Sequence, residues 1–268
     1  MSYIVNEEVI NLDFDVFNIN DSIKNLVTRF KQISKQGWLM KKTNNPGEFG
    51  NNLESLLGKY NNNLPIWDFE GIEIKTKSYN CHDTFITLFN MTPYGDNMFE
   101  IERLKGKYGY PDKDIKTSKI LHGDVYSSKC NAIGRNYNFR LNVNYDLQRV
   151  ELLVFNNKNN LIENQVFWPF DILKDKLYQK LKYLALIKVN TKYYNNIKYY
   201  KYEKLEVFKL ISFEAFLEAL KTDKIWVQFK IGVFKSGKRL GQTHDRGTGF
   251  QINEKSLNSL YTKIYSKR

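Results

Sequence analysis

Cysteine is scarce. Only Cys81 and Cys130 occur among 268 residues, too few for a disulfide framework and without the paired spacing of a zinc site. That scarcity fits a reducing compartment and predicts a cytoplasmic protein. Long apolar runs are missing as well. Nowhere do about eighteen apolar residues follow one another, so no segment reads as membrane-spanning. Asn6-Glu7-Glu8 interrupts any basic-then-apolar secretory pattern at the N-terminus. Neither a Walker loop, a dinucleotide fingerprint nor a nucleophile elbow is present. No internal repeat or clear linker divides the chain. His244 stands without partner ligands and does not read as a zinc site.

What is abundant is positive charge. Lys and Arg number 41 against 29 Asp and Glu, a formal +12. On a chain long enough to bury a core, as one large domain or two intimate lobes, that excess favours a polyanionic partner. Nucleic acid ranks ahead of an acidic membrane surface. The competing reading is compositional, since Asn, Ile and Tyr are also plentiful here.

One stretch organises the rest. Asn62-Asn63-Leu64-Pro65-Ile66-Trp67-Asp68 reads as a loop, Gly71 turns the chain, and Ile72-Glu73-Ile74-Lys75-Thr76 alternates like a half-buried strand. Side chains two apart on a strand share a face, so Glu73 and Lys75 point the same way while Ile72 and Ile74 hold the core. Asp68 can fold back onto that face. Two converging carboxylates repel, and a hard cation such as Mg²⁺ relieves the repulsion. An adjacent lysine can orient the attacking water and offset charge on a phosphate. Asp-x(4)-Glu-x-Lys is the spacing of the PD-(D/E)XK nuclease core. As a bare pattern it fits a solvated strand face equally well, and Asp114-Ile115-Lys116 repeats part of it in a stretch that does not read as a buried strand.

Residues 1–19 read as a packed lead-in. From Asp21 the spacing of Ile23, Leu26, Val27, Phe30 and Ile33 predicts a helix that ends before Gly37, with Asn20 or Asp21 as its cap. A short helix over Gly50–Gly58 turns Leu53, Leu56 and Leu57 inward. Glu54 flanks that face, either as an ordinary solvated glutamate or as a third acidic member of a nuclease site. Phe85–Phe89 reads as a strand paired with the motif strand in a hairpin around Tyr79–Asp83. A short helix is expected over Glu100–Tyr108, a hairpin over Phe139–Phe155, and a helix over Pro169–Leu181. Tyr183–Val189 and Lys198–Ile211 read as strands around a Tyr/Asn/Lys-rich turn. Ser212 caps a helix through Leu220, Ile225–Val233 is a strand, and Asn253 caps a final helix packing Leu257, Leu260 and Ile264.

The second informative stretch is Thr243-His244-Asp245-Arg246-Gly247-Thr248-Gly249-Phe250. Glycines let backbone approach a ligand closely. Arg can donate two bonds to guanine and Asp can accept from cytosine. A surface turn in which Asp245 and Arg246 pair with each other is the plainer alternative.

Taken in order, Gly50-x-x-Leu53-Glu54-x-Leu56-Leu57-Gly58, Asp68-x(4)-Glu73-Ile74-Lys75, Ile86-Thr87-Leu88-Phe89, Lys107-Tyr108-Gly109-x-Pro111-Asp112 and Gly247-Thr248-Gly249-Phe250 resemble the MvaI/BcnI restriction endonucleases, relatives of the mismatch-repair nicking enzyme MutH. The resemblance spans roughly residues 38–255. It implies an α+β, PD-(D/E)XK restriction-endonuclease-like fold, a mixed sheet flanked by helices in two lobes that clamp DNA. The corresponding division is 1–37 helical lead-in, 38–160 catalytic lobe and 161–268 DNA-recognition lobe with a C-terminal helix. It also implies a monomeric, Mg²⁺-dependent type II endonuclease acting on double-stranded DNA at a short pseudopalindromic site, with a cognate DNA methyltransferase encoded nearby.

Carried onto this sequence, Asp68 and Glu73 become metal ligands, Lys75 the catalytic lysine and Glu54 the helix glutamate of the same core. The loop ending in Gly247-Thr248-Gly249-Phe250, which carries His244, Asp245 and Arg246, matches a segment that lines the DNA in the family, and the basic side chains of Lys230, Lys238, Arg239 and Arg246 are expected to hold the backbone or read bases. The chain departs from the family pattern in two places. Arg246, not histidine, directly precedes Gly247, and Trp67 rather than proline precedes Asp68. Three rivals remain at this level: a MutH-like strand-nicking repair enzyme, a DNA-binding module with a decayed catalytic core, and a nuclease directed at RNA.

Overall fold

A computed structural model of the chain describes residues 18–58, 68–80, 85–95 and 97–267. The lead-in over residues 1–17, Pro65, Trp67 and Cys81 lie outside the described residues, as does most of the turn expected to join the motif strand to the next.

Helix α1 (Ile19–Ser34) forms where the apolar spacing predicts and buries Leu26, Phe30 and Ile33. Its cap is Asn18, not Asn20 or Asp21. The side chain of Asn18 accepts from the Asn20 amide, and its carbonyl takes the first helical bonds from Asp21 and Ser22. Asn20 and Asp21 are therefore already inside the first turn, where Asp21 faces the positive end of the helix dipole. Strand β1 (Leu39–Met40) and helix α2 (Glu48–Leu56) follow, then β2 (Glu73–Ser78), β3 (Phe85–Asn90) and α3 (Asn97–Tyr108). Next come β4 (Tyr110–Pro111), β5 (Lys119–Val125), β6 (Asn131–Ile133), β7 (Tyr137–Asn144), β8 (Arg149–Asn156) and β9 (Leu161–Pro169). Helix α4 (Phe170–Leu181) leads into β10 (Tyr183–Tyr194) and β11 (Ile197–Leu210), and Ser212 caps α5 (Phe213–Lys221) as expected. The chain continues through β12 (Ile225–Val233), β13 (Thr243–Asp245), β14 (Gly249–Asn253) and β15 (Tyr261–Lys267).

These strands form three sheets. The first has the order β1-β11-β10-β2, with β15 sharing the β1 edge of β11. Its spine is the β10–β11 hairpin, closed by Asn195 and Asn196, both at positive φ. β2 lies parallel to β10 at the sheet's edge, with Glu73 opposite Leu184 and Lys75 opposite Leu186. The second sheet runs β3-β14-β12-β5-β4, with β13 pairing the same edge of β12 as β14. The third is the antiparallel meander β6-β7-β8-β9. Two apolar clusters result. One lies under α1 and α2 and takes Ile72, Ile74, Ala185 and Ile187; the other joins the second and third sheets around Leu88, Trp168, Phe216 and Phe250.

Two expectations fail here. β2 and β3 do not pair as a hairpin. Ile74 belongs to the first cluster and Ile86 and Leu88 to the second, so burial draws neighbouring strands into different sheets. The expected C-terminal helix is also replaced. Asn253 does cap a turn, accepting from the Lys255 amide, but this is a 3₁₀ segment (Glu254–Ser259). Beyond it β15 adds to the free edge of β11, pairing Leu205–Leu210, and Ile264 stays exposed. An unpaired strand edge offers hydrogen bonds to every second residue, and Tyr-Thr-Lys-Ile-Tyr suits a strand. A division of the chain at residue 160 cuts across these sheets, since β2 pairs with β10 and β5 with β12.

Candidate active site

The approach to β2 is a tight turn. Glu70 and Gly71 both take positive φ, 39° and 85°, the pairing that a two-residue hairpin turn of type I′ demands. Phe69 and Ile72 exchange backbone bonds of 2.9 and 2.7 Å across it. The turn swings Asp68 back along the strand, where its Oδ2 accepts from the Ile74 amide at 2.9 Å. The fold-back read from Gly71 is therefore present.

Glu73 is not on a solvated face. Only 1 % of its surface is exposed. Its Oε1 accepts from Lys75 Nζ at 2.6 Å, and Lys180 Nζ approaches the same oxygen at 3.5 Å. Its Oε2 is buried, with no hydrogen-bond partner among the described residues. Burial holds the Glu73 carboxyl above the usual carboxylate range. Lys75 and Lys180 oppose that rise, and the nearby charge of Asp68 adds to it. A carboxylate left half-satisfied in a dry setting is costly unless a further positive group reaches it. Glu54 sits half-buried on α2, the helix that lies against β2, with Gly50 facing the Thr76 hydroxyl.

Sequence reasoning missed Lys180. Register explains its position: Lys180 precedes by four residues Leu184, which is the β10 partner of Glu73. The last turn of α4 thus hangs over the start of β2. One turn earlier lies Lys176, whose ammonium is pushed down by burial and by Lys180. The hydroxyl of Tyr261, fully buried and unpartnered, is pushed up by burial and by the charge of Glu73. The Lys176/Lys180 spacing was readable as one helix face; its meeting with Glu73 was not.

The late loop has a definite shape. β13 and β14 pair successive parts of one edge of β12, and residues 246–248 bulge between them. The Arg246 amide donates to the Lys230 carbonyl at 3.1 Å, and the Lys230 amide donates to Thr248 Oγ1 at 3.1 Å. Asp245 Oδ1 accepts from the amides of Gly247 and Thr248, at 3.1 and 2.8 Å, and from the Thr248 hydroxyl. That oxygen braces the loop from inside. His244 stacks on Phe234 with centroids 4.1 Å apart and planes within 3°, and the Arg239 guanidinium covers Phe234 at 3.9 Å. Arg246 and Lys238 remain exposed. The structure brings Lys230, His244, Asp245 and Arg246 to one bulge, with Arg239 joined to them through Phe234.

This arrangement has relatives. The model of the MvaI/BcnI restriction endonuclease family matches residues 27–261. The chain belongs to that family. The solved structure of the restriction endonuclease MvaI with its cognate DNA substrate matches at a TM-score of 0.82 and 32 % identity, covering 91 % of this chain and 99 % of that one. MvaI in the absence of DNA matches at 0.58 and 32 %, covering 92 % and 97 %. A search of curated proteins finds no match. With the family shown, this MvaI/BcnI member is a type II restriction endonuclease, a site-specific DNA-cleaving enzyme. The expected α+β class, recognition of DNA and family resemblance all stand. Among the described residues no helix is long and apolar enough to cross a membrane.

Proposed function

We propose that this endonuclease hydrolyses phosphodiester bonds of double-stranded DNA with Mg²⁺ at Asp68 and Glu73 and with Lys75 as the catalytic lysine. The observation that carries this reading is Glu73 Oε2, a buried carboxylate oxygen without a partner among the described residues, on a strand edge where Asp68 folds back beside it. The donor set suits a hard cation, since both groups are carboxylates. When bound, such a cation polarises the scissile phosphoryl group and stabilises the departing oxygen.

The remaining work falls to the chain's own residues. Asp68 is held in place by the Ile74 amide, so it meets a ligand without reorganising. Lys75 pairs with Glu73, and its side chain is a quarter exposed, so it can orient the attacking water and take up charge from the phosphate oxygens. Glu54 lies half-buried on α2, the helix against β2, and among the described residues it does not gather with Asp68 and Glu73 into a three-carboxylate cluster, so the proposed ligand set is the pair Asp68 and Glu73. The bulge carrying His244, Asp245 and Arg246 supplies base and backbone contacts, with Lys230, Lys238 and Arg239 beside it. Arg246 is the residue we assign to base-edge reading, because it is exposed while Asp245 is committed to the loop. Recognition of a short pseudopalindromic site by a monomer, a cytoplasmic location and a cognate methyltransferase complete the proposal.

Incubating a plasmid of known sequence with the purified protein and Mg²⁺, then sequencing the ends, tests it. Defined ends at one recurring site are expected, and EDTA should abolish them. Ends scattered over the plasmid, or cutting that persists in EDTA, would refute the reading.

A further inference from the structure

The active-site carboxylates carry more positive charge than the motif alone supplies. Asp68 and Glu73 bring two negative charges, and Lys75 contributes one positive charge from the same strand. The second comes from α4, whose Lys180 Nζ lies 3.5 Å from the Glu73 Oε1 that Lys75 already occupies at 2.6 Å. Both ammoniums crowd one oxygen, and the other is left buried and unpartnered. These four charges sum to zero, and Lys176 adds further positive charge one turn before Lys180. A divalent cation entering beside them would leave a net charge of at least +2 in a largely dry environment, which is strongly disfavoured unless further negative charge arrives with it. The scissile phosphate of bound DNA is such a charge.

We propose that Lys180 is a positioning residue: it neutralises and orients Glu73 in the free enzyme, so that a divalent cation is held tightly only when a DNA phosphate is present. The inference rests on the assignment of Asp68 and Glu73 as metal ligands. It adds a residue outside the Asp-x(4)-Glu-x-Lys core and couples metal entry to substrate. Without such coupling, a nuclease loaded with metal would be poised to hydrolyse any phosphodiester that drifted in. Lys180 is well placed for the role, because α4 leads directly into β10 and fixes the lysine opposite the strand that carries Glu73. Lys176, one turn away, adds a second ammonium to the same helix face.

The test is calorimetric titration of the DNA-free enzyme with Ca²⁺, a hard cation with the same preference for carboxylate oxygen. Lys180→Gln removes the charge but keeps a polar side chain, Lys180→Met removes charge and polarity, and Lys180→Arg keeps the charge. The expected result is that Lys180→Gln and Lys180→Met each bind Ca²⁺ at least tenfold more tightly than wild type, while Lys180→Arg does not. Melting temperatures measured alongside separate this from loss of fold, and Lys180→Gln serves if Lys180→Met proves unstable. Neutral variants that bind Ca²⁺ no more tightly than wild type would overturn the proposal and leave Lys180 as an ordinary ion pair. Plasmid cleavage by wild-type protein with Mg²⁺, run in parallel, keeps the two readings apart. If the wild type fails to cut, the metal site is misassigned; if it cuts and the titrations do not differ, only the role of Lys180 falls.

Discussion

At the scale of single residues, the site depends on a turn that only certain residues can make. Gly71 sits at φ 85° with open space where a Cβ would go, so the obstacle to a larger residue is backbone strain alone. Gly71→Ala is expected to cost about 1 kcal/mol in stability. It should lower cleavage by more than that loss explains, because the turn aims Asp68; equal fractional losses in folded protein and in activity would contradict this. Gly249 is different in kind. A Cβ there would stand 2.3 Å from the Phe89 carbonyl, so Gly249→Ala must part β14 from β3 and should lower the melting temperature well beyond the Gly71 effect. The meeting of Asp68, Glu73 and Lys75, the residues proposed for catalysis, was readable because they lie within eight positions and a strand's two-residue period alone puts the last two on one face. Lys180 was not readable, because more than a hundred residues separate it from Glu73 and only the β2–β10 register brings them together.

At the scale of elements, ion pairs join pieces that hydrophobic patterning leaves ambiguous. Glu163 on β9 receives Arg103 Nη1 at 2.8 Å and the Tyr108 hydroxyl at 3.1 Å, both from α3. Burial works against the charge of Glu163, yet Arg103, the Gln165 amide and Tyr108 together hold its carboxyl at about 2. A carboxyl depressed in the folded state contributes stability above its ordinary value near 4.5 and loses it as the pH falls towards 2. Glu163→Ala should therefore destabilise the protein by about 2 kcal/mol at neutral pH, because it strips a partner from the buried Tyr108 hydroxyl and one bond from Arg103, which keeps its pair with Glu100. The gap to wild type should narrow as the pH falls below about 4.5 and close only towards pH 2 in chemical denaturation. A gap unchanged between pH 7 and pH 3 would contradict the assignment. Helices α1, α2, α4 and α5 were legible from spacing and caps. The partners of β2 and the fate of residues 261–267 were not, since both are decided by which sheet edge lies free after the distant β10–β11 hairpin has formed.

At the scale of the whole molecule, the sequence spoke most clearly through its charge and its block order. The formal +12 pointed to a polyanion, and membership of the MvaI/BcnI family agrees with that. What composition could not disclose is that the first and second sheets each combine strands from both sides of residue 160, β2 with β10 in one and β3 with β14 and β5 with β12 in the other. The closer likeness to MvaI with cognate DNA than to MvaI without it, 0.82 against 0.58, describes the arrangement seen in this chain. If Lys238, Arg239 and Arg246 meet phosphates or bases, affinity for DNA must fall steeply with salt, with log K falling by about 0.9 per log unit of salt for each phosphate contact. Lys238→Ala is expected to reduce that slope by about one unit, measured as binding against salt concentration. A slope identical to wild type would remove Lys238 from the interface.

The most direct measurement is plasmid cleavage by Asp68→Ala with Mg²⁺, paired with a gel-shift assay on the same DNA. Loss of cutting by roughly a thousandfold, with retention of the DNA band as in wild type, is the predicted result. Cutting at the wild-type rate by Asp68→Ala would contradict the assignment of the active site.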